Sequence, residues 1–300
     1  MPDNMNAAVL HGAGDLRYQK AEMPSKGADD VLIRVRMNGI CGSDIHFFED
    51  GRLGPYVVSR PYIPGHEACG TVVEEADSGS HNSQAPRKGQ RVAIEPGIPC
   101  RQCELCKSGR YNLCKNVRFL SAPPENGSFA EYVSIPWDFA HVLPDSVDDE
   151  CGAFVEPISV GIQACERAGL SAGSSVAIVG AGPIGLTLAL VARSYGAAVV
   201  YLVDVLDSRL DFGKAMGADE VFNATREDVA QAVEAASGGG VDVVFDTSGS
   251  SVAAAGTPDL ATRGGVIVLV GWPETASFPF PIELVLEKEL DVRGDRKSVV

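Results

Sequence analysis

The alternation of hydrophobic and polar positions changes character midway along the chain. Up to about residue 150 the apolar runs are short and β-like, as in Asp30-Val-Leu-Ile-Arg-Val-Arg36 and Gly70-Thr-Val-Val73. Gly and Pro punctuate them every few residues, which predicts a small antiparallel barrel or sandwich. The stretch Glu74 to Lys88 is polar and predicts an exposed loop. From Ser174 onward the period becomes strand, helix, strand. Val176 to Val179 reads as a buried strand, Pro183 to Tyr195 as a helix and Val199 to Val203 as the next strand. A helix near Ser208 to Met216, a strand at Glu220 to Phe222 and a helix around Glu227 to Ala236 follow. Strands at Val241 to Phe245, Val266 to Val270 and Leu290 to Arg293 complete the series. Such alternation demands a parallel sheet with crossover helices on both faces. No internal repeat or low-complexity tract interrupts either half.

Length and charge narrow the class. Three hundred residues suit two domains. The 25 Lys and Arg stand against 40 Asp and Glu, a formal net charge of −15. Phosphate backbones and anionic bilayers select the opposite balance, so neither nucleic acid nor membrane is an expected partner. The longest apolar stretch, Val176 to Val203, is broken by Gly180, Gly182, Pro183, Gly185 and Arg193. It is thus no membrane span. Met1 to Leu10 lack the features of a secretory signal. The eight Cys therefore read as reduced thiols or metal ligands, and a cytoplasmic enzyme is expected.

Gly180-Ala-Gly182-Pro183-Ile184-Gly185 follows a predicted strand and opens a predicted helix, and Asp204 ends the next strand nineteen residues after Gly185. The first Gly makes a tight turn, the second lets backbone approach a pyrophosphate, and the third lets the helix pack on the sheet. The helix N-terminus favours the anion. Asp204 would bond the adenosine ribose hydroxyls and repel a 2′-phosphate, which selects NAD over NADP.

Cys100, Cys103, Cys106 and Cys114 are spaced C-x2-C-x2-C-x7-C. Four thiolates from one loop suit a closed, tetrahedral structural zinc site. An iron–sulfur cluster and a nucleic-acid-binding zinc ribbon are the other readings. Lys115 after Cys114 departs from the ferredoxin pattern, and the net charge opposes the ribbon. A second cluster joins Gly39-Ile-Cys41-Gly-Ser43-Asp44-Ile-His46 to Pro64-Gly-His66-Glu67-Ala. Cys41 and His66 are good zinc ligands. Glu67 or a later carboxylate would complete three and leave a position for substrate.

These motifs, with Val155-Glu156-Pro-Ile-Ser-Val-Gly161, resemble the zinc-dependent medium-chain dehydrogenase family. Phe119-Leu-Ser-Ala-Pro-Pro-Glu-Asn-Gly127 and Gly51-Arg-Leu-Gly54 are most similar to its sorbitol and xylitol dehydrogenase branch. The resemblance implies a GroES-like catalytic barrel over residues 1–156 and a Rossmann doubly wound parallel sheet over 157–294, with the active site between them. It implies Cys41, His66 and Glu67 on a catalytic zinc, and Glu156 as a fourth ligand or a partner of the zinc-bound water. Asp44 would orient His66. Ser43 and His46 would relay a proton to solvent, Phe47 and Phe119 would line the substrate site, and Arg209 and Val270 would join the dinucleotide contacts. The implied reaction is NAD-dependent oxidation of a secondary hydroxyl of a small polyol to a ketose, by a homo-oligomer (dimer or tetramer) when full length. Threonine or butanediol dehydrogenase, or a non-catalytic NAD- and zinc-binding fragment, are the alternatives.

Two departures stand out. Phe47 occupies a position where polyol enzymes often carry Tyr. Asp295-Arg-Lys-Ser-Val-Val300 does not resemble the family and can be encoded by a common sequencing adapter, so residues 295–300 are expected to be a non-native tail, with the returning part of the catalytic domain missing.

Overall fold

A computed structural model describes residues 3–77 and 84–296, and divides into two units between Glu156 and Pro157. In the first unit, β1 (Asn4–Gly12) and β2 (Asp15–Glu22) form a hairpin that leads to β3 (Asp30–Gly39) and helix α1 (Gly42–Asp50). The two-residue strands β4 (Arg52–Leu53) and β5 (Tyr56–Val57) precede β6 (Glu67–Glu74) and β7 (Arg91–Ile94). A lobe holding β8 (Gly97–Ile98), the one-turn helix α2 (Glu104–Lys107) and β9 (Arg118–Phe119) comes next. Then β10 (Tyr132–Pro136) and β11 (Ala140–Val142) complete an antiparallel sheet ordered β10-β3-β6-β7-β11. Val31, Ile33, Val72, Val92, Ile94, Val133 and Ile135 fill its inner face. Register shifts at Leu32/Ile33 and Val35/Met37 curl the β3–β6 pair, as bulges do. The expected barrel is therefore a curled five-stranded sheet.

Helix α3 (Asp149–Ala168) carries the chain across the unit boundary with Pro157 inside it. In the second unit β12 (Ser175–Val179), α4 (Pro183–Ser194), β13 (Val199–Asp204), α5 (Asp207–Ala215), β14 (Glu220–Asn223) and α6 (Val229–Ser237) alternate. So do β15 (Val241–Asp246), α7 (Ser251–Leu260), β16 (Ala261–Leu269), α8 (Ile282–Lys288) and β17 (Asp291–Gly294). All six strands are parallel, in the order β14-β13-β12-β15-β16-β17. Successive strand residues point to opposite faces. Val176, Ile178, Val200, Leu202 and Phe245 pack with Ala164, Leu188 and Leu210 of α3, α4 and α5. Ala177, Val179, Val203, Val244 and Ile267 pack with Val233 and Leu260 of α6 and α7. This is the doubly wound sheet that the period demands. Strand order reverses between β12 and β15, which puts a ligand crevice at the end of β12.

Helices α1, α2, α3, α7 and α8 and part of a strand escape the periodicity. Helix α7 reads Ser-Val-Ala-Ala-Ala-Gly-Thr-Pro-Asp-Leu, whose small residues give no clear stripe, yet Ser250 caps it by accepting from the Ala253 amide. Helix α8 is short, and Ile282 and Leu286 on it are exposed. Strand β16 begins at Ala261 rather than Val266, because a register shift opposite Val241/Val243 absorbs Thr262–Gly265. The polar stretch Glu74 to Lys88 is described except for residues 78–83, and residues 297–300 of the expected non-native tail lie outside the described residues. Among the described residues no helix is long and apolar enough to cross a membrane.

Phe245 sits fully buried at the centre of the second unit, whereas Val252 is 83% exposed on α7. Phe245→Ala should cost about 3–5 kcal/mol and Val252→Ala less than about 0.5, measured by urea unfolding. Equal effects would contradict the placement of this core.

Candidate active site and metal centres

The four-cysteine lobe brings its sulfurs together without bonding them. All four are free thiols. Sγ of Cys103 lies 3.3 Å from Cys106 and 3.9 Å from Cys114, and Cys100 lies 3.9 Å from Cys106. Sulfurs about 2.3 Å from one tetrahedral zinc would be about 3.8 Å apart, so this arrangement fits the ion. The Gln102 and Cys103 amides pull the Cys100 thiol down to about 6, while desolvation and the neighbouring thiols push Cys106 up to about 12. A divalent cation resolves that conflict by displacing the protons. Arg101, between the first two cysteines, fixes the lobe through a two-pronged pair with Asp138 at 2.6 and 2.7 Å. The Tyr111 hydroxyl donates to the buried Glu95 at 2.8 Å.

The second donor set forms where β3 and β6 meet. Gly39 pairs with Glu67 across the two strands, so Cys41 and His66 arrive on the same side of the sheet end. The Cys41, His66 and Glu67 donor atoms all lie within 4.8 Å of one another. A Cβ at Gly39 would fall on Glu67 Oε2, which is why this strand must end in glycine. Asp44, in the first turn of α1, accepts from the Cys41 amide at 3.0 Å and from the Gly65 amide at 3.1 Å. Its buried carboxylate thereby joins the two segments that bear the donors. His66 is also buried. Its Nδ1 lies 2.8 Å from Ser121 Oγ, which leaves the buried Nε2 for a metal. A thiol, an imidazole and a carboxylate in one pocket suit zinc with an open position.

The glycine turn is built as its motif requires. Gly180 has φ +99°, and a Cβ on Gly185 would fall on the Gly180 carbonyl. A Cβ on Gly182 would meet nothing within 4 Å, so the backbone there faces open space that a pyrophosphate can enter. Gly182 caps α4 without a side chain, and the first-turn amides of a helix have no partner within it. Pro183, Ile184 and Gly185 form that first turn. Asp204 is buried and accepts from the amides of Ala181 at 2.7 Å, Val205 at 2.8 Å and Leu206 at 3.0 Å. Arg209 approaches the same carboxylate at 3.6 Å. Val270 follows β16 beside the Asp246 carbonyl, to which its amide donates at 2.8 Å.

Two family patterns match the chain: the alcohol dehydrogenase GroES-like domain over residues 27–145 and the zinc-binding dehydrogenase domain over 183–296. Sorbitol dehydrogenase of Bacillus subtilis is 39% identical over 295 residues, covering 98% of this chain and 82% of that protein. The chicken (Gallus gallus) sorbitol dehydrogenase is 41% identical over 292 residues, covering 96% and 81%. The chain belongs to the zinc-dependent medium-chain dehydrogenase family. Among solved structures, an Escherichia coli oxidoreductase of unknown specificity superposes with a TM-score of 0.91 at 35% identity, covering 98% of this chain and 84% of its own. The 2R,3R-butanediol dehydrogenase of Bacillus subtilis does so with a TM-score of 0.87 at 31% identity, covering 98% and 84%. This dehydrogenase is thus a zinc-binding oxidoreductase, and two solved structures it resembles hold NADP and NADH.

Several expectations for the dehydrogenase need correction. Asp44 faces His66 as expected, 3.9 Å from Nδ1 and bonded to the adjacent Gly65 amide, but Ser121 is the nearer partner. The motif Phe119 to Gly127 contains Ser121 but gave it no role, since its partner His66 is fifty-five residues away in the chain. Phe47 does not face an open wall. Its ring is 3% exposed and packs edge-on against Tyr62 beside Leu10, where an i, i+3 helix position of α1 meets the core. Phe119 does reach the zinc site, edge-on to the His66 ring at 5.4 Å. Glu156 is buried on α3 but is not among the three donors that converge, and Glu67 is. Ser43 is half-buried and His46 is exposed, its Nδ1 3.4 Å from Asp50.

Elemental analysis of the dehydrogenase should find about two zinc per chain. Cys106→Ser should remove one. Gly39→Ala should remove the other by displacing the Glu67 carboxylate, with the first retained. Both affinities should weaken as pH falls, because the ligands must be deprotonated to bind. Iron with visible absorbance in place of zinc would contradict the four-sulfur site.

Proposed function

We propose that the enzyme oxidises a secondary hydroxyl of a small polyol to a ketose and passes the hydride to NAD. The observation that carries this is the Cys41, His66 and Glu67 donor set, closed within 4.8 Å in a chain 39% identical to a sorbitol dehydrogenase. Zinc supplies Lewis-acid polarisation of the substrate hydroxyl, which makes its proton removable near neutral pH. Cys41, His66 and Glu67 hold it. Ser43, half-buried, accepts the hydroxyl proton and His46, at the surface, passes it to water. Glu156 grips a neighbouring hydroxyl of the polyol from its buried position on α3. The half-buried Phe119 supplies an apolar flank beside His66.

The glycine turn receives the NAD pyrophosphate, and Asp204 sets the preference for NAD by repelling a 2′-phosphate. Arg209, 3.6 Å from the Asp204 carboxylate, would flank the ribose. We place the enzyme in the cytoplasm as a homo-oligomer. Its acidic charge of −15 supports a small-molecule partner and opposes nucleic acid or membrane. A butanediol substrate is the second reading, favoured by the likeness to the butanediol dehydrogenase and by the apolar Phe119 flank.

NADH formation followed at 340 nm across an alcohol panel separates the two. Sorbitol or xylitol should give the highest kcat/KM, because a site that bonds a second hydroxyl discriminates strongly against analogues lacking it, by up to about 10⁴-fold. A higher value for 2,3-butanediol or threonine than for every polyol would overturn the substrate. For the cofactor, Asp204→Asn is the informative change. It removes the charge and keeps one oxygen, enough for either the Ala181 amide or the Val205 and Leu206 amides, all of which Asp204→Ala would strand. The NADP to NAD ratio of kcat/KM should rise roughly tenfold, the factor of about 1.4 kcal/mol. No change would show that Asp204 does not set the preference.

A further inference from the structure

We propose that Ser121 is a positioning residue of the zinc site, fixing the tautomer and ring orientation of His66 that turn Nε2 to the metal. This rests on the reading of Cys41, His66 and Glu67 as that site. Ser121 Oγ and His66 Nδ1 are 2.8 Å apart, and each residue is only 2% exposed. Asp44 faces the same nitrogen from farther away, at 3.9 Å. It stands beyond hydrogen-bond distance of Nδ1, and its two oxygens accept from Cys41 and Gly65. An imidazole that binds metal through Nε2 carries its proton on Nδ1, and that N–H donates to the nearest acceptor, here Ser121 Oγ.

The backbone points the same way. Ser121 has φ +67° in a tight turn, closed by the Ala122 amide donating to the Phe119 carbonyl at 3.0 Å. Glycine takes such a position without strain, and a serine does not. The hydroxyl is therefore present in spite of the backbone, not because of it. Phe119 opens the same turn and lies edge-on to the His66 ring. One four-residue turn thus holds the imidazole in plane through Ser121 and flanks it through Phe119.

Two variants separate the hydroxyl from the fold. Ser121→Gly deletes it and relieves the turn, while Ser121→Ala deletes it and keeps the strain. In both, a chromogenic chelator should strip zinc from the His66 site about 10–100-fold more readily, and the four-cysteine zinc should leave at the wild-type rate. With histidines labelled by 15N, five in all, the wild-type His66 Nδ1–H should exchange slowly with water and should be lost from the spectrum in both variants. Unchanged zinc release with an unchanged His66 signal would overturn the role of Ser121. Zinc lost equally from both sites, the mark of general unfolding, would also overturn it. A wild-type chain that binds only the four-cysteine zinc would overturn the site reading beneath it.

Discussion

The carboxylate of Asp44 ties together two pieces of chain that the pairing of β3 with β6 brings side by side. One oxygen holds the Cys41 amide at the start of α1, and the other holds the Gly65 amide just before His66. A buried carboxylate must spend its lone pairs on donors or it destabilises the fold. Here the donors available are those of the metal-bearing segments. Satisfying the charge and assembling the site are consequently one event. Strand pairing of Gly39 with Glu67 supplies the third donor, and the missing side chain at Gly39 leaves room for its carboxylate.

The same economy of means appears in the second unit. Asp204 receives the Ala181 amide from the turn after β12 and two amides from the turn after its own strand. It stiffens the glycine turn as well as presenting charge to a cofactor. The four-cysteine lobe works differently, because its thiols oppose one another until a cation arrives. Cys100 is pulled towards the thiolate by amides, while Cys106 is held as a thiol by its surroundings. Zinc held by the four thiolates would contribute to the lobe's cohesion through charge, whereas Asp44 and Asp204 act with no metal present.

What could be read from the chain depended on how local the signal is. The spacing of Cys100 to Cys114 and the glycine turn are local, and both appear in space as their motifs imply. Strands β12, β13 and β15 are nearly continuous apolar runs separated by helical stretches, so the parallel sheet was legible. Helix α7 was not, because Ala and Gly pack there by being small rather than by forming a stripe. The contact of Ser121 with His66 bridges fifty-five residues and depends on a turn whose positive φ a serine does not advertise. Phe47 failed for a related reason. Motif position placed it near the metal, but burial against Tyr62 and Leu10 is decided by the hairpin and the loop before β6. Where a role follows from neighbours in sequence it was visible. Where it follows from packing it was not.

Anomalous diffraction at the zinc edge, from crystals of the protein grown with zinc, tests the account most directly. Two peaks are predicted, one enclosed by the sulfurs of Cys100, Cys103, Cys106 and Cys114 and one at Cys41 Sγ, His66 Nε2 and the Glu67 carboxylate. A second peak elsewhere, or one at this site bound through His66 Nδ1, would contradict it.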